Sequence, residues 1–228
     1  MKKFVLFLFA IAMAVMPLSL VACGQRKMKL ITTALPAQYK FSVNYKYWEN
    51  DTLKSDYTYT LIHGKADILG DGLRNVYYLE TLNNIDTSYH FYSIIITPDE
   101  NQIELNDLAE SEAMFKYWHE EDNKWYNEPT SWRENYVNDV KETIEKISAP
   151  SYELWDSDIK EDTDDYVLYN HYNYEIIKFA KNQYNYVLQK DGIFTSNAYR
   201  YTLLSIDTNY NLADNLADIP HRSALQTE

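Results

Sequence analysis

Residues 39–48 read YKFSVNYKYW, and that strict alternation constrains the fold more than any other feature of the chain. Phe41, Val43, Tyr45 and Tyr47 fall on one side, Ser42, Asn44 and Lys46 on the other, which is the period of a half-buried β-strand. The pattern returns in YTYTLIHGK, where Tyr57, Tyr59 and Leu61 alternate, and three more strands are read in LRNVYYLETL, SYHFYSIIIT and QIEL. The stretches ENDTLKSD and GDG between these runs predict turns. The first half therefore reads as an antiparallel meander. Tyrosine, with 22 residues, carries much of it, because its apolar ring and polar tip suit a surface that is only partly covered.

The middle changes period. NDLAESEAMFKYWHEE opens with Asp107 and Glu110 at capping-box spacing and places Leu108, Phe115 and Trp118 on roughly one side, which predicts a helix. A second, stronger helix is predicted from about Ser131 to Ile147. There Ser131 and Glu134 form another capping box, and Trp132, Tyr136, Val140, Ile144 and Ile147 make one apolar stripe ended by Pro150. After the acidic loop DSDIKEDTDD the strand pattern resumes, with a turn at KDG and a short helix and frayed tail over the last residues. The order strands, helices, strands predicts an α+β domain. Its antiparallel sheet, open or curved into a half-barrel, carries a two-helix insertion at about 107–148 packed on one face. If the face of Phe41, Val43, Tyr45 and Tyr47 meets the helical stripe, tyrosines on the opposite strand faces stand in solvent.

The first 23 residues belong to a different kind of segment. Lys2 and Lys3 precede an uninterrupted apolar run from Phe4 to Met16, which Pro17 closes short of the roughly 20 residues a membrane-spanning helix requires. Then comes LVAC, residues 20–23, holding the only cysteine of the chain. This quartet resembles the lipobox of bacterial lipoproteins. The resemblance implies cleavage before Cys23, a diacylglyceryl thioether on its sulfur, and a protein tethered by lipid in the cell envelope. It divides the chain into a signal peptide at 1–22, a lipidated tether at 23–36 and one globular domain at 37–228. Gly24, where an aspartate implies inner-membrane retention in enteric lipoproteins, favours the outer membrane. The basic residues Arg26, Lys27 and Lys29 favour its periplasmic face. No resemblance is carried by the residues of the mature domain itself.

Removing the leader takes two lysines with it, so the net charge of −13 becomes −15. Such a surface excludes nucleic acid, whose binding rests on Lys and Arg neutralising phosphates. Catalytic signatures are absent. Five glycines supply no phosphate loop, no serine sits in G-x-S-x-G, and the five histidines include no pair at i, i+4 and no H-E-x-x-H. Asp207, Asn209, Asn211, Asn215 and Asp218 match a calcium-loop template in part. Leu212 stands where that template needs glycine, so a polar turn and no metal or other cofactor is expected.

Two functions fit this reading. One is a non-catalytic envelope lipoprotein that binds a protein or glycan partner through exposed aromatic rings. Tyr78 and Tyr92 are its candidate residues, since by parity Tyr78 opposes Tyr77 and Tyr92 opposes Phe91, leaving a ring on each side of both strands. The alternative is a half-barrel carrier of lipid or another hydrophobic ligand, suggested by an element order that resembles lipoprotein carrier folds. Tyrosine hydroxyls on the inward face weigh against it.

Overall fold

The computed structural model describes residues 28–227 except 102, 150, 151, 172 and 173. The leader and Cys23 lie outside the described residues. Eleven strands form one antiparallel sheet, built in two walks. The first begins at the centre with β2 (Tyr39–Glu49) and runs outward through β3 (Thr52–Ala66), β4 (Arg74–Asn83), β5 (His90–Ile96), β6 (Met114–His119) and β7 (Lys124–Asn127). A helix, α1 (Arg133–Glu145), then crosses the sheet. The chain resumes at the opposite edge with β9 (Ile159–Asp162) and returns through β10 (Tyr166–His171), β11 (Glu175–Ala180) and β12 (Val187–Ile193) to β13 (Asn197–Asp207), which pairs with β2. A separate two-stranded sheet joins β1 (Met28–Ile31) to β8 (Tyr152–Trp155).

Local chemistry explains the hairpins. Asn50 and Asp51 both adopt positive φ, 47° and 61°, so two residues suffice to turn β2 into β3, and the rest of ENDTLKSD is strand. The KDG expected as a turn lies inside β12. Gly192 stands directly across from Tyr199, and a Cβ there would come within 2.2 Å of the Tyr199 ring. This glycine makes room for an aromatic neighbour; the chain reverses one step later, where the Phe194 amide donates to the Asn197 carbonyl at 2.8 Å. Both edge strands, β7 and β9, are four residues long, and β9 carries Lys160, Glu161 and Asp162. Short, charged edges discourage pairing with other chains.

Three apolar cores cover the sheet. On the first face Phe41, Val43, Leu61, Leu79 and Phe115 pack beneath Val137, Val140 and Ile147, so this is the strand face that meets the helix. On the second face Ile62, Val76, Tyr78, Ile94 and Trp118 lie beneath Tyr210, Leu212, Ile219 and Leu225. The third joins Val167, Tyr169, Ile177 and Phe179 to Ile31 and Ala149. Burying each such side chain contributes about 1.5–3 kcal/mol.

Several expectations are corrected. Among the described residues there is one α-helix, not two: residues 114–119 are β6, preceded by a single 3-10 turn at Leu108–Glu110. Neither capping box forms, since Asp107 makes no side-chain cap and the N-cap of α1 is Trp132. Trp132 is 57% exposed and leaves the core stripe to Tyr136, Val140 and Ile147. Residues 28–31, expected within the tether, form β1, because Ile31 is buried in the third core. The supposed frayed tail is a series of 3-10 turns that closes the second face.

Candidate functional site

Beyond the first core the same face of the sheet becomes aromatic and polar. Leu61 pairs with Leu79 inside the core, Tyr59 with Thr81 one step farther, and Tyr57 with Asn83 beyond that. Phe91 on β5 stands across from Thr81. Alternation keeps all of these side chains on the helix side. On α1, Tyr136, Asp139, Thr143 and Lys146 follow Trp132 at intervals of four, three, four and three, one step around the helix from the core stripe. The two surfaces enclose a cleft of about 590 Å³. Trp132 and Tyr89 stand at it 57% and 51% exposed, so the cleft presents unsatisfied ring area to solvent.

Its polar groups are anchored. The Tyr136 hydroxyl donates to Glu128 Oε1 at 2.5 Å, and Thr143 Oγ1 donates to the Asp139 carbonyl at 2.7 Å. Asn83 Oδ1 accepts from the amides of Ile85 and Asp86, which shapes the β4–β5 connection, and Asp86 Oδ1 accepts from the Ser88 hydroxyl at 2.6 Å. Lys146 Nζ lies 4.5 Å from the centre of the Tyr59 ring. Desolvation beside the helix, reinforced by Glu142, pushes the Asp139 carboxyl above its ordinary range, and Lys146 partly opposes this. An exposed edge of Asp139 lets water screen part of that penalty. Desolvation also holds the Lys146 ammonium below its ordinary value. The arrangement places flat apolar rings next to carboxylates and one ammonium, a combination suited to gripping a polar molecule with apolar faces.

A second polar cluster lies farther along the same face. Glu175, 9% exposed, accepts from the Tyr199 hydroxyl, from Lys190 Nζ at 3.1 Å and pairs with His171 Nδ1 at 3.0 Å. Burial pushes its carboxyl up, but these bonds outweigh burial and hold it low. Four strands contribute, so the cluster ties β10, β11, β12 and β13 together.

The predicted recognition residues are elsewhere. Tyr78 is fully buried and Tyr92 is 9% exposed, both in the second core, and their rings stack at 6.3 Å. Their strand parity is as expected; their exposure is not, because the C-terminal segment covers them. His221 of that segment stacks on Trp118 at 3.8 Å, and Trp125 Nε1 donates to its carbonyl at 3.0 Å. The 207–218 template is also dispersed. Asp218 Oδ2 accepts from Lys40 and Tyr210, Asn211 caps Ala213, and Leu212 is buried. Among the described residues no three His, Cys, Asp or Glu side chains gather closely enough to share a metal ion. The wall of the cleft, with Asp139, Thr143 and Lys146, was missed by sequence reasoning. Its signal is the second stripe on α1, offset by one residue from the apolar one.

The chain matches no protein-family model, and a comparison with curated proteins finds no match.

Proposed function

We propose that this protein is a bacterial lipoprotein, held by lipid on Cys23 at the periplasmic face of the outer membrane, that binds a glycan in the α1 cleft without catalysing a reaction. The observation that carries the binding reading is the pairing of exposed rings with carboxylates in one recess: Trp132 and Tyr89 beside Asp86, Asp139 and Glu142. A sugar offers apolar C–H faces that stack on such rings and hydroxyls that donate to such carboxylates. The volume of about 590 Å³ is that of a small-ligand site, whereas a protein partner engages a broader surface. The lipobox resemblance of residues 20–23 supports the anchor, and no helix among the described residues is long and apolar enough to cross a membrane.

Binding is tested by calorimetric titration with soluble envelope glycan fragments. Trp132→Ala and Tyr89→Ala should each weaken binding about tenfold, or 1.4 kcal/mol, while leaving the melting curve close to wild type because both rings are exposed. Unchanged affinity in the double variant would remove the cleft as the site. The anchor is tested separately, since Cys23→Ser should release the protein from the membrane fraction.

A further inference from the structure

Antiparallel pairing gives the large sheet two ends. The β2–β3, β4–β5, β10–β11 and β12–β13 connections share one of them, and the β3–β4 connection is at the other. At the shared end Leu53, Trp48, Ala198 and Ile193 are successive cross-strand partners, forming one row a step inside the pairs of Glu49 with Thr52 and Asn197. Ile193 is 64% exposed, Phe194 48%, Tyr174 44% and Leu53 38%. The Phe194 ring lies 5.4 Å from Tyr174, so the row continues onto the neighbouring hairpin. The tip is also free of charge: residues 192–199, GIFTSNAY, contain no acidic or basic side chain in a chain with 34 acids. The adjoining β2–β3 hairpin tip carries Glu49, Asp51 and Lys54, so the charge-free apolar surface is confined to the β12–β13 tip and Tyr174. Such a surface is costly in water and suits the boundary of a lipid bilayer, where aromatic rings are favoured.

The start of the described chain lies at the same end. Met28 pairs with Trp155, and from Trp155 a single 3-10 turn leads to Ile159, where β9 begins at the end shared by the hairpin tips. Cys23 precedes Met28 by five residues, which span at most roughly 17 Å. A lipid on that sulfur holds the membrane within reach of the tips. We infer that the β12–β13 tip, with Ile193, Phe194 and neighbouring Tyr174, rests in the headgroup boundary of the bilayer and orients the domain beside its lipid anchor. The inference rests on the lipid-anchor reading and adds a second, protein-mediated contact to it.

The test uses full-length processed protein in vesicles of phosphatidylethanolamine and phosphatidylglycerol. An environment-sensitive dye is attached through Phe194→Cys or, at the opposite end, through Leu73→Cys, which is 49% exposed. With Cys23 occupied by lipid, each variant has a single free thiol. The expected result is a shift to shorter wavelength and quenching by nitroxide lipids at position 194, with neither at position 73, and loss of both effects when Ile193→Asp is added. Ile193→Cys replaces the first variant if its melting curve departs from wild type, and Tyr174→Asp is then the added change. Intact mass reads lipidation independently. Should the mass show no lipid, the anchor reading fails by itself, and the same dye comparison is made in a Cys23→Ser background with saturating vesicles. Water-like emission at both positions overturns the inference in either background.

Discussion

At the scale of single residues, burial decides what a side chain does. His63 shows this most sharply. It stands between its cross-strand partners Tyr39 and Tyr77, with ring centres 5.3 Å and 4.1 Å away, and is 4% exposed. Among the described residues neither of its ring nitrogens has a hydrogen-bond partner. Desolvation accordingly lowers its pKa to about 4 from an ordinary 6.5, so the imidazole is neutral at pH 7. The unfolded chain binds a proton at this site below pH 6.5 while the folded one resists until about pH 4. Its contribution to stability is therefore complete above the higher value and is lost as pH falls through that window. At about 1.4 kcal/mol per unit the loss amounts to about 3 kcal/mol. Chemical denaturation from pH 7 to pH 4 should show His63→Phe losing less stability than wild type by that order. Parallel pH profiles for the two proteins would contradict the assignment. Tyr78 teaches the same lesson from the sequence side: its strand parity was legible, but its exposure depended on a segment more than a hundred residues away.

Elements form where a periodicity is matched by something to pack against. For α1 the stripe Tyr136, Val140 and Ile147 was legible and lies in the first core. Val140→Asp should cost several kcal/mol by burying a charge there, whereas Lys141→Ala, off the stripe, should change stability by no more than about 0.5 kcal/mol. Melting curves of the two variants check this, and equal shifts would show that α1 does not pack through Val140. Strand β6 was misread for a physical reason. Phe115 and Tyr117 face the first core while Trp118 faces the second, so both sides are covered and only the buried Lys116 between Met114 and Trp118 marks a polar position. What remained was the spacing of Leu108, Phe115 and Trp118, which imitates a helix. Gly192 was misread likewise, since a glycine after Lys-Asp signals a turn unless an opposing ring needs its space.

For the whole molecule, the decisive device is the closure of the second face by the C-terminal end of the chain, opposite the face that α1 covers. Residues 210–225 cover Ile62, Tyr78, Ile94 and Ile96, and β13 joins the two walks through its register with β2 from Asn197 opposite Glu49 to Asp207 opposite Lys40. Truncation after Asp207 keeps every strand but uncovers that face. The truncated protein should be recovered as aggregate or bind a dye for exposed apolar surface, and a soluble, cooperatively melting product would refute the covering role. The sequence by itself determined the strand runs that became β2–β5 and β10–β13, the one strong helix and its buried stripe, because period two and period 3.6 are local properties of side-chain direction. The run QIEL, also read as a strand, is irregular over 103–105. Only the tertiary structure decided which strand faces are covered, that 114–119 is a strand, that the tail is a lid over the second core, and that Tyr57, Tyr59, Tyr89, Trp132 and Asp139 line one cleft. Those outcomes depend on which distant segment lies over a given face, and that is settled by the competition among all apolar surfaces for burial.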